Sequence, residues 1–291
     1  MDLTAILLGV GATLCWGLTM VLMKAGIDRM SRTAFGVLRL WMGLPFILLY
    51  AWATGGFAFG STDMILVGLT GGIVNAFLGT GLFYYALRQG SMHESNILAN
   101  TSPFWGVVSA IVFLGEPASP VTFGAGALVI AGTYFLVRGR SSDGGRHSLR
   151  ALVAAAAAGI LWGFTTAVPT KYCMGHGMSP IAYQVLFAGA AAACWTVAAL
   201  PGFVRRRLTV TRRGVGLAFL SSFFGLFIGW VMWLMAIQRV DASVLSPLGG
   251  LTLLFAAILG AILLRQRLTP KMAVGGALIL AGVTLVSVLA G

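Results

Sequence analysis

Ten apolar segments, each long enough to cross a lipid bilayer, cover almost the whole chain. A membrane-spanning helix needs about 20 apolar residues in a row, and only 9% of the residues are charged, against about 25% in soluble domains. The runs are continuous, without the alternation of a membrane β-barrel. They cover residues 3–23, 33–54, 64–87, 94–114, 120–138, 151–172, 180–203, 214–237, 242–264 and 270–290. The sequence therefore predicts an all-α integral membrane protein with ten transmembrane helices.

The sequence also repeats itself after about 150 residues. Residues 120–132 and 270–282 share six identities in thirteen positions, and the segment CWGLT at 15–19 matches LWGFT at 161–165. Five crossings per half is an odd number, so the second half must begin on the opposite side of the membrane. Such halves are related by a pseudo-twofold axis in the membrane plane, with the substrate between them. We predict repeat one at 1–138, a cytoplasmic linker at 139–150, and repeat two at 151–291, inverted around a central cavity.

Basic residues are concentrated on one side of the predicted membrane protein. Of 19 Lys and Arg residues, sixteen lie in or beside the loops that lead from odd-numbered to even-numbered segments. Lys171 and Arg239 lie on the other side, and Arg39 lies inside the second segment. Because basic loops stay in the cytoplasm, both termini are predicted to be periplasmic in a bacterial inner membrane. The net charge of +12 is then explained by topology and lipid contact, not by nucleic-acid binding.

A motif recurs once in each half. In the first half it comprises Ala86-Leu87, Pro103, Leu114-Gly115-Glu116, Pro120 and the segment GALVIAG at 126–132. In the second half it comprises Ala236-Ile237, Pro247, Leu264-Arg265-Gln266, Pro270 and the segment GALILAG at 276–282. The pattern resembles EamA-type transporters of the drug/metabolite transporter superfamily over essentially the whole chain, with a departure at residues 264–266, where the family usually repeats Leu-Gly-Glu. Within that family the chain is most similar to bacterial aromatic amino-acid exporters of the YddG type, which also handle methyl viologen.

No Asp or Glu lies near the middle of any apolar segment. Intramembrane carboxylates are the usual proton relays of transporters, and the short multidrug relatives of the family rely on one. We therefore expect movement of substrate without a carboxylate relay, with His93 as an alternative route for proton coupling. Arg39 has two interpretations: it extends to the headgroups along its aliphatic stem, or it is a gate or an anchor for a substrate anion. Lys171 is expected to extend to the headgroups.

Neutral polar and aromatic side chains at mid-depth are the candidates for lining the cavity. Asn96 and Asn100 are four residues apart and share one helix face. Pro103 and Pro247 are candidate helix breaks, because a proline frees a backbone carbonyl. Aromatic rings suit flat or cationic substrates, although helix packing is an alternative role for every one of these side chains. The candidate substrate-binding residues are Trp16, Asn75, Asn96, Asn100, Trp105, Trp162, Thr165, Tyr183, Trp230 and Ser246. Other tryptophans, Trp41, Trp52 and Trp195, are expected in the interface belts.

The sequence favours a transporter that exports aromatic and other neutral amino acids and related metabolites by alternating access. Alternatives are a carrier for another polar metabolite such as a nucleotide sugar, a multidrug or cation exporter, a passive channel and a lipid scramblase. An enzyme is not expected, because the three histidines lie at segment ends and form no catalytic group. The cysteines lack metal-type spacing. We therefore expect no cofactor, no metal and no catalytic residue, with a small-molecule substrate and membrane lipids as partners of a monomer.

Overall fold

The computed structural model describes residues 2–89, 92–117, 119–138, 148–264 and 269–289. These residues form helices and no strand. The ten helices are α1 (Leu3–Ile27), α2 (Arg32–Thr54), α3 (Thr62–Gln89), α4 (Met92–Leu114), α5 (Pro120–Arg138), α6 (Leu149–Gly175), α7 (Pro180–Val204), α8 (Arg212–Ile237), α9 (Ala242–Leu264) and α10 (Pro270–Leu289). In the described part, nine are long and apolar enough to cross a bilayer, and α10 has a shorter apolar stretch, Pro270–Leu285. The predicted fold class is confirmed.

The start of α6 differs slightly from the prediction. Residues 139–147 of the predicted linker lie outside the described residues, whereas Leu149 and Arg150 form the first turn of α6. The hydroxyl of Ser148 accepts a hydrogen bond from the amide of Ala151 at 3.4 Å. A serine at this position satisfies an amide that the first helical turn leaves unpaired, so the helix begins two residues earlier than predicted.

The helices pack as an inverted repeat requires. α1 packs against α8 and α9, and its counterpart α6 packs against α3 and α4. α5 packs against its own counterpart α10. A Cβ atom at Gly132 would lie 2.6 Å from the Gly275 carbonyl oxygen, and one at Gly282 would lie 2.8 Å from that of Ala125. α5 and α10 are therefore antiparallel and in direct backbone contact, which small residues permit.

Glycines at two crossings bring the tryptophan-bearing helices close to the opposite half. A Cβ atom at Gly17 of α1 would lie 2.9 Å from the carbonyl oxygen of Thr252 in α9. At the matched crossing, a Cβ atom at Gly163 of α6 would overlap the carbonyl oxygen of Ser102 in α4. Each of these glycines directly follows a tryptophan. The close approach therefore carries Trp16 and Trp162 into the space between the halves.

Four helices contain an irregular segment. The described α3 is π-helical over Ile73–Gly79, and α8 is π-helical over Ser222–Gly229. α4 is interrupted by a turn at residues 100–101, just before the helical segment Ser102–Leu114, and α9 contains a 3₁₀ segment, Ser246–Gly250. Pro103 and Pro247 each lie in the first turn of the segment after such a change, where a proline is tolerated. Single-turn π segments are frequent at functional sites.

Candidate substrate cavity

A cavity of about 280 Å³ lies between the two halves. We call the end of the bundle that carries Arg29, Arg32 and residues 205–213 the basic end, and the other the opposite end. Lys24, an exposed side chain at the basic end of α1, and Tyr84, at the same end of α3, both line the cavity. The cavity is therefore continuous with the surface at the basic end.

Two tryptophans from the repeat bind the backbone of the π segments. The indole N–H of Trp162 donates to the Asn75 carbonyl at 3.1 Å, and that of Trp16 donates to the Gly225 carbonyl at 3.2 Å. A π segment leaves backbone groups without their usual helical partner, and in a bilayer such groups must be satisfied by protein. Each indole therefore stabilises the irregular segment of the other half and also lines the cavity.

The next carbonyl in each π segment also has a side-chain donor. The indole N–H of Trp195 donates to the Ala76 carbonyl at 2.7 Å, and the Gln184 amide donates to the Leu226 carbonyl at 2.7 Å. Trp195 is only 7% exposed. A position in an interface belt does not by itself explain this burial, which the hydrogen bond to the π segment accounts for. Trp41 and Trp52, in contrast, are exposed.

The two π segments differ in their side chains. In the first half, the Asn75 amide donates to the Thr165 hydroxyl at 2.7 Å. At the matched position of the second half there is Gly225, and a Cβ atom there would overlap the Thr19 hydroxyl. Asn75 therefore places an amide on the cavity wall that its counterpart does not have.

Aromatic rings close the cavity toward the opposite end. Trp16 contacts Trp230 with ring centroids 5.6 Å apart and Trp233 with centroids 5.1 Å apart. Phe187 contacts Trp230 at 4.4 Å. All four rings line the cavity, and the Trp233 indole is fixed by donation to the Thr166 carbonyl at 3.2 Å. A flat apolar group would meet ring faces and edges at this end.

A cation lines the cavity nearer the basic end. Arg39 lies seven residues into α2, or about 10 Å from its start at the usual helical rise. The guanidinium is partly buried, and its Nε atom is buried without a hydrogen-bond partner. The described lining residues include two cations, Lys24 and Arg39, and no carboxylate. A guanidinium in such surroundings attracts a carboxylate or phosphate, which it binds in a planar, forked geometry.

The opposite end is closed by contacts between the halves. Both carboxylate oxygens of Glu116, in the loop after α4, accept backbone N–H groups at the start of α9, from Ala242 and Ser243 at 2.8 Å each. A carboxylate at a helix N-terminus also interacts favourably with the helix dipole. Glu116 therefore ties the first half to the second at this end.

Lys171 belongs to the same end. Its ammonium group donates to the carbonyls of Ile237 and Val240 at 3.2 and 2.7 Å, and it lies 3.9 Å from Asp241. The expectation that Lys171 extends to the headgroups is wrong, because the terminal carbonyls of α8 are within its reach. The residue instead joins α6 to the end of α8.

The structure places the predicted site residues in three groups. Those on the cavity wall are Trp16, Asn75, Asn100, Trp162, Trp230, Ser246, Arg39 and Pro103. Those away from it are Trp105, Thr165, Tyr183 and Pro247. Thr165 acts indirectly through Asn75, whereas Trp105 donates to the Thr101 hydroxyl, and Tyr183 is buried against Phe187 and Gly71. The side chains of Asn96 and His93 lie outside the described residues.

Several lining residues did not enter the predicted set, namely Thr19, Lys24, Phe83, Phe187 and Trp233. Thr19 carried a usable signal, because it matches Thr165 in the repeat. Trp233 follows Trp230 by three residues and so shares its helix face. No sequence signal marked Phe187, since its place on the cavity wall depends on the packing of α7.

Comparisons with known proteins agree with this architecture. Two stretches of the chain, residues 3–138 and 149–288, match the EamA-like transporter family. A solved structure described only as "Crystal structure of protein" is similar with a TM-score of 0.83 and 20% identity, over 98% of this chain and 97% of that one, which is a likeness of fold alone. No curated protein sequence matches the chain. Because the two family matches cover nearly all of its residues, the chain belongs to the EamA-like transporter family and is a multi-pass membrane transporter of small molecules.

Proposed function

We propose that this transporter exports aromatic and other neutral amino acids, and related small metabolites, across the bacterial inner membrane. The observation that carries the proposal is the polarity of the cavity, which is aromatic toward the opposite end and cationic at Arg39. An aromatic amino acid has the complementary pair of groups, a flat ring and a carboxylate. The resemblance to YddG-type aromatic amino-acid exporters points to the same substrates.

Each part of such a substrate has a partner of suitable chemistry. The carboxylate would bind the Arg39 guanidinium, and the ring would lie against Trp230 and Phe187. Asn75 donates its amide hydrogen to Thr165, so its amide oxygen is the acceptor that it can offer to the ammonium group. The faces of Trp16 and Trp162 add cation–π attraction for the same charge.

The placement of the basic loops supports export as the direction of transport. If the basic end is cytoplasmic, the cavity opens to the cytoplasm and both termini are periplasmic. This is the state that loads a substrate for export. Release would require the contacts of Glu116 with α9 to separate while the basic end closes, as in alternating access between inverted repeats. One monomer contains both halves and is sufficient for this cycle.

The described lining offers no carboxylate, which supports movement without a carboxylate proton relay. We expect purified protein in liposomes to take up radiolabelled phenylalanine with saturation, to show competition by tryptophan, and to keep its rate when the pH gradient is abolished. Phenethylamine, which lacks the carboxylate, should compete poorly.

Three results would contradict the proposal. Linear uptake without competition would indicate a channel. Stronger competition by a nucleotide sugar than by tryptophan would indicate that class of carrier. Equal competition by phenethylamine and phenylalanine would remove Arg39 as the anion anchor.

A further inference from the structure

A second cavity, a groove of about 720 Å³, lies on the outside of the bundle between α2, α3 and α7. Its walls include Arg32, Tyr85, Leu78 and Trp195, and its floor includes Gly81. Leu78 is 45% exposed and Tyr85 is 42% exposed. Both belong to a transmembrane helix, so in a membrane lipid has access to these surfaces. We call this cavity the lateral groove.

The apolar part of the lateral groove is a built surface. The Trp195 ring is held by the hydrogen bond from its indole N–H to the Ala76 carbonyl at 2.7 Å, and Phe77 contacts it edge-on with centroids 5.6 Å apart. A Cβ atom at Gly36 would lie 3.0 Å from the same ring. A Cβ atom at Gly81, in contrast, would meet nothing within 4 Å. The groove is therefore a rigid aromatic wall over an open floor.

The end of the lateral groove at the basic face is cationic. Arg32 is the first residue of α2, and within the described part of the chain its guanidinium makes one hydrogen bond, of 3.4 Å, to the Tyr84 carbonyl. Neither ion pair among the described residues involves Arg32. Ser31 gives the start of α2 no side-chain cap, and Thr33 in the first turn also lines the groove, so the positive end of the helix dipole adds to the charge at this end. Together these groups suit a phosphate.

We propose that the lateral groove binds one anionic phospholipid, with its phosphate at Arg32 and an acyl chain running over Gly81 toward Leu78. The distance from Tyr85 to Leu78, seven helical residues, is about 10 Å, which matches the upper part of an acyl chain. Clusters of cations at the cytoplasmic boundary of a membrane attract anionic lipids. Tyr84 lines both the lateral groove and the central cavity, so the bound lipid contacts a wall of the substrate path.

Native mass spectrometry of the purified protein, titrated with phosphatidylglycerol or with phosphatidylcholine, tests this proposal. We expect Arg32→Gln to raise the Kd for phosphatidylglycerol about tenfold, because a charge-assisted hydrogen bond is lost, while phosphatidylcholine binding changes little. Arg32→Lys should retain part of the preference. Gly81→Leu should displace the retained lipid of either kind, because its side chain fills the floor.

Matched controls exist on the same molecule. Arg29→Gln removes an exposed cation at the same end that does not line the groove. Gly189→Leu fills an equally open position on α7 outside both cavities. Both should bind phosphatidylglycerol as the unaltered protein does.

The proposal fails in three defined ways. Wild-type retention of phosphatidylglycerol by Gly81→Leu would place the lipid elsewhere. An unchanged preference for phosphatidylglycerol in Arg32→Gln would mean that a group other than Arg32 binds the headgroup. Displacement of the bound lipid by millimolar glycerol phosphate would mean that the headgroup binds without the chain. None of these outcomes depends on which substrate the transporter carries.

Discussion

The two halves of the cavity share one backbone design but differ in the side chains that it presents. Ser222 of α8 donates to the Arg39 carbonyl of α2, and at the matched contact Gly72 of α3 lies against the Phe187 carbonyl of α7. Arg39 and Phe187 thus occupy equivalent positions, one cationic and one aromatic. Likewise, Trp16 and Trp162 hold equivalent π segments. Duplication therefore supplied the scaffold, and divergence of side chains gave the cavity two chemically different ends.

The same difference extends along α3 and α8. Residues 80 and 83 of α3 are Thr and Phe, whereas the matched residues 230 and 233 of α8 are both Trp. All four line the cavity. Because the halves are inverted, the three-ring cluster of Trp16, Trp230 and Trp233 lies toward the opposite end, and the more polar set lies toward the basic end. If the two halves had identical side chains, the two ends of the cavity would be chemically the same. The side-chain differences between the halves therefore determine the orientation in which a substrate binds.

The largest expected effect comes from forcing the second half to resemble the first. Gly225→Asn would place an amide where the Thr19 side chain lies, since a Cβ atom at residue 225 already overlaps it. Overpacking of this kind costs about 1–3 kcal/mol, so we expect a clear fall in the thermal unfolding temperature in detergent. The companion change Thr19→Ala makes space and should restore part of it. Gly189→Asn, at an open position, should have little effect, and equal melting of all variants would contradict the packing argument.

A more specific effect, on substrate affinity instead of stability, is expected at the cationic end. Arg39→Gln should raise the KM for phenylalanine about tenfold to a hundredfold, since hydrogen bonds to charged groups contribute about 1.5–3 kcal/mol. Arg39→Lys keeps the charge but loses the forked geometry, and its KM should fall between. Uptake of radiolabelled phenylalanine in proteoliposomes measures the KM of both variants.

Competition by phenethylamine provides the internal control for Arg39, because this amine lacks the carboxylate. Its inhibition constant should not change in Arg39→Gln. Arg29→Gln, an exposed cation at the same end, should transport normally. If phenethylamine and phenylalanine weakened together, Arg39 would support the cavity without binding the substrate.

More of the fold than of the candidate site could be predicted from the sequence. Long apolar runs and the odd number of crossings per half determine the helices and their inversion. The π segments could not be predicted, because they depend on donors such as Trp162 that come from another helix. The hydrogen-bond partner of Trp195 could not be predicted for a related reason: α7 is apolar on all sides, so its sequence does not reveal which face meets the Ala76 carbonyl.

A moderate effect is expected at the closed end. Glu116→Gln keeps the size of the side chain but removes the charge that faces the first amides of α9. A cap and its dipole interaction contribute about 1 kcal/mol, which is about a fivefold shift toward states open at this end. The shift can be measured with Thr166→Cys, at a residue on the cavity wall, in a variant that lacks Cys15, Cys173 and Cys194. An impermeant thiol reagent added from the opposite end should label this cysteine faster in Glu116→Gln.

Asp63→Asn provides the matched change for Glu116, since Asp63 is an exposed carboxylate on the first turn of α3 at the same end. It should leave the labelling of residue 166 unchanged. Faster labelling in both variants would assign the effect to the overall charge of that end. Unchanged labelling in Glu116→Gln would mean that the aromatic cluster alone closes the cavity.

An effect as small as that of Glu116→Gln is expected from the reverse exchange, Asn75→Gly, which gives the first half the residue of the second. The Trp162 indole binds the carbonyl of residue 75, which remains, and Thr165 still donates to the Leu161 carbonyl at 2.6 Å. Folding should therefore be preserved, and one hydrogen bond to the substrate's ammonium group, about 1 kcal/mol, should be lost. The KM for phenylalanine should rise about fivefold.

The inhibition constant of 3-phenylpropionate, which has no ammonium group, should not change in Asn75→Gly. Asn75→Ala separates the amide from the backbone freedom that a glycine adds: if the amide matters, both variants lose phenylalanine affinity equally. A loss of phenylalanine affinity in the glycine variant alone would mean that the added backbone freedom of the π segment causes it. Equal weakening of phenylalanine and phenylpropionate would mean that Asn75 shapes the wall without recognising the ammonium group, and the polar difference between the halves would then rest on Arg39.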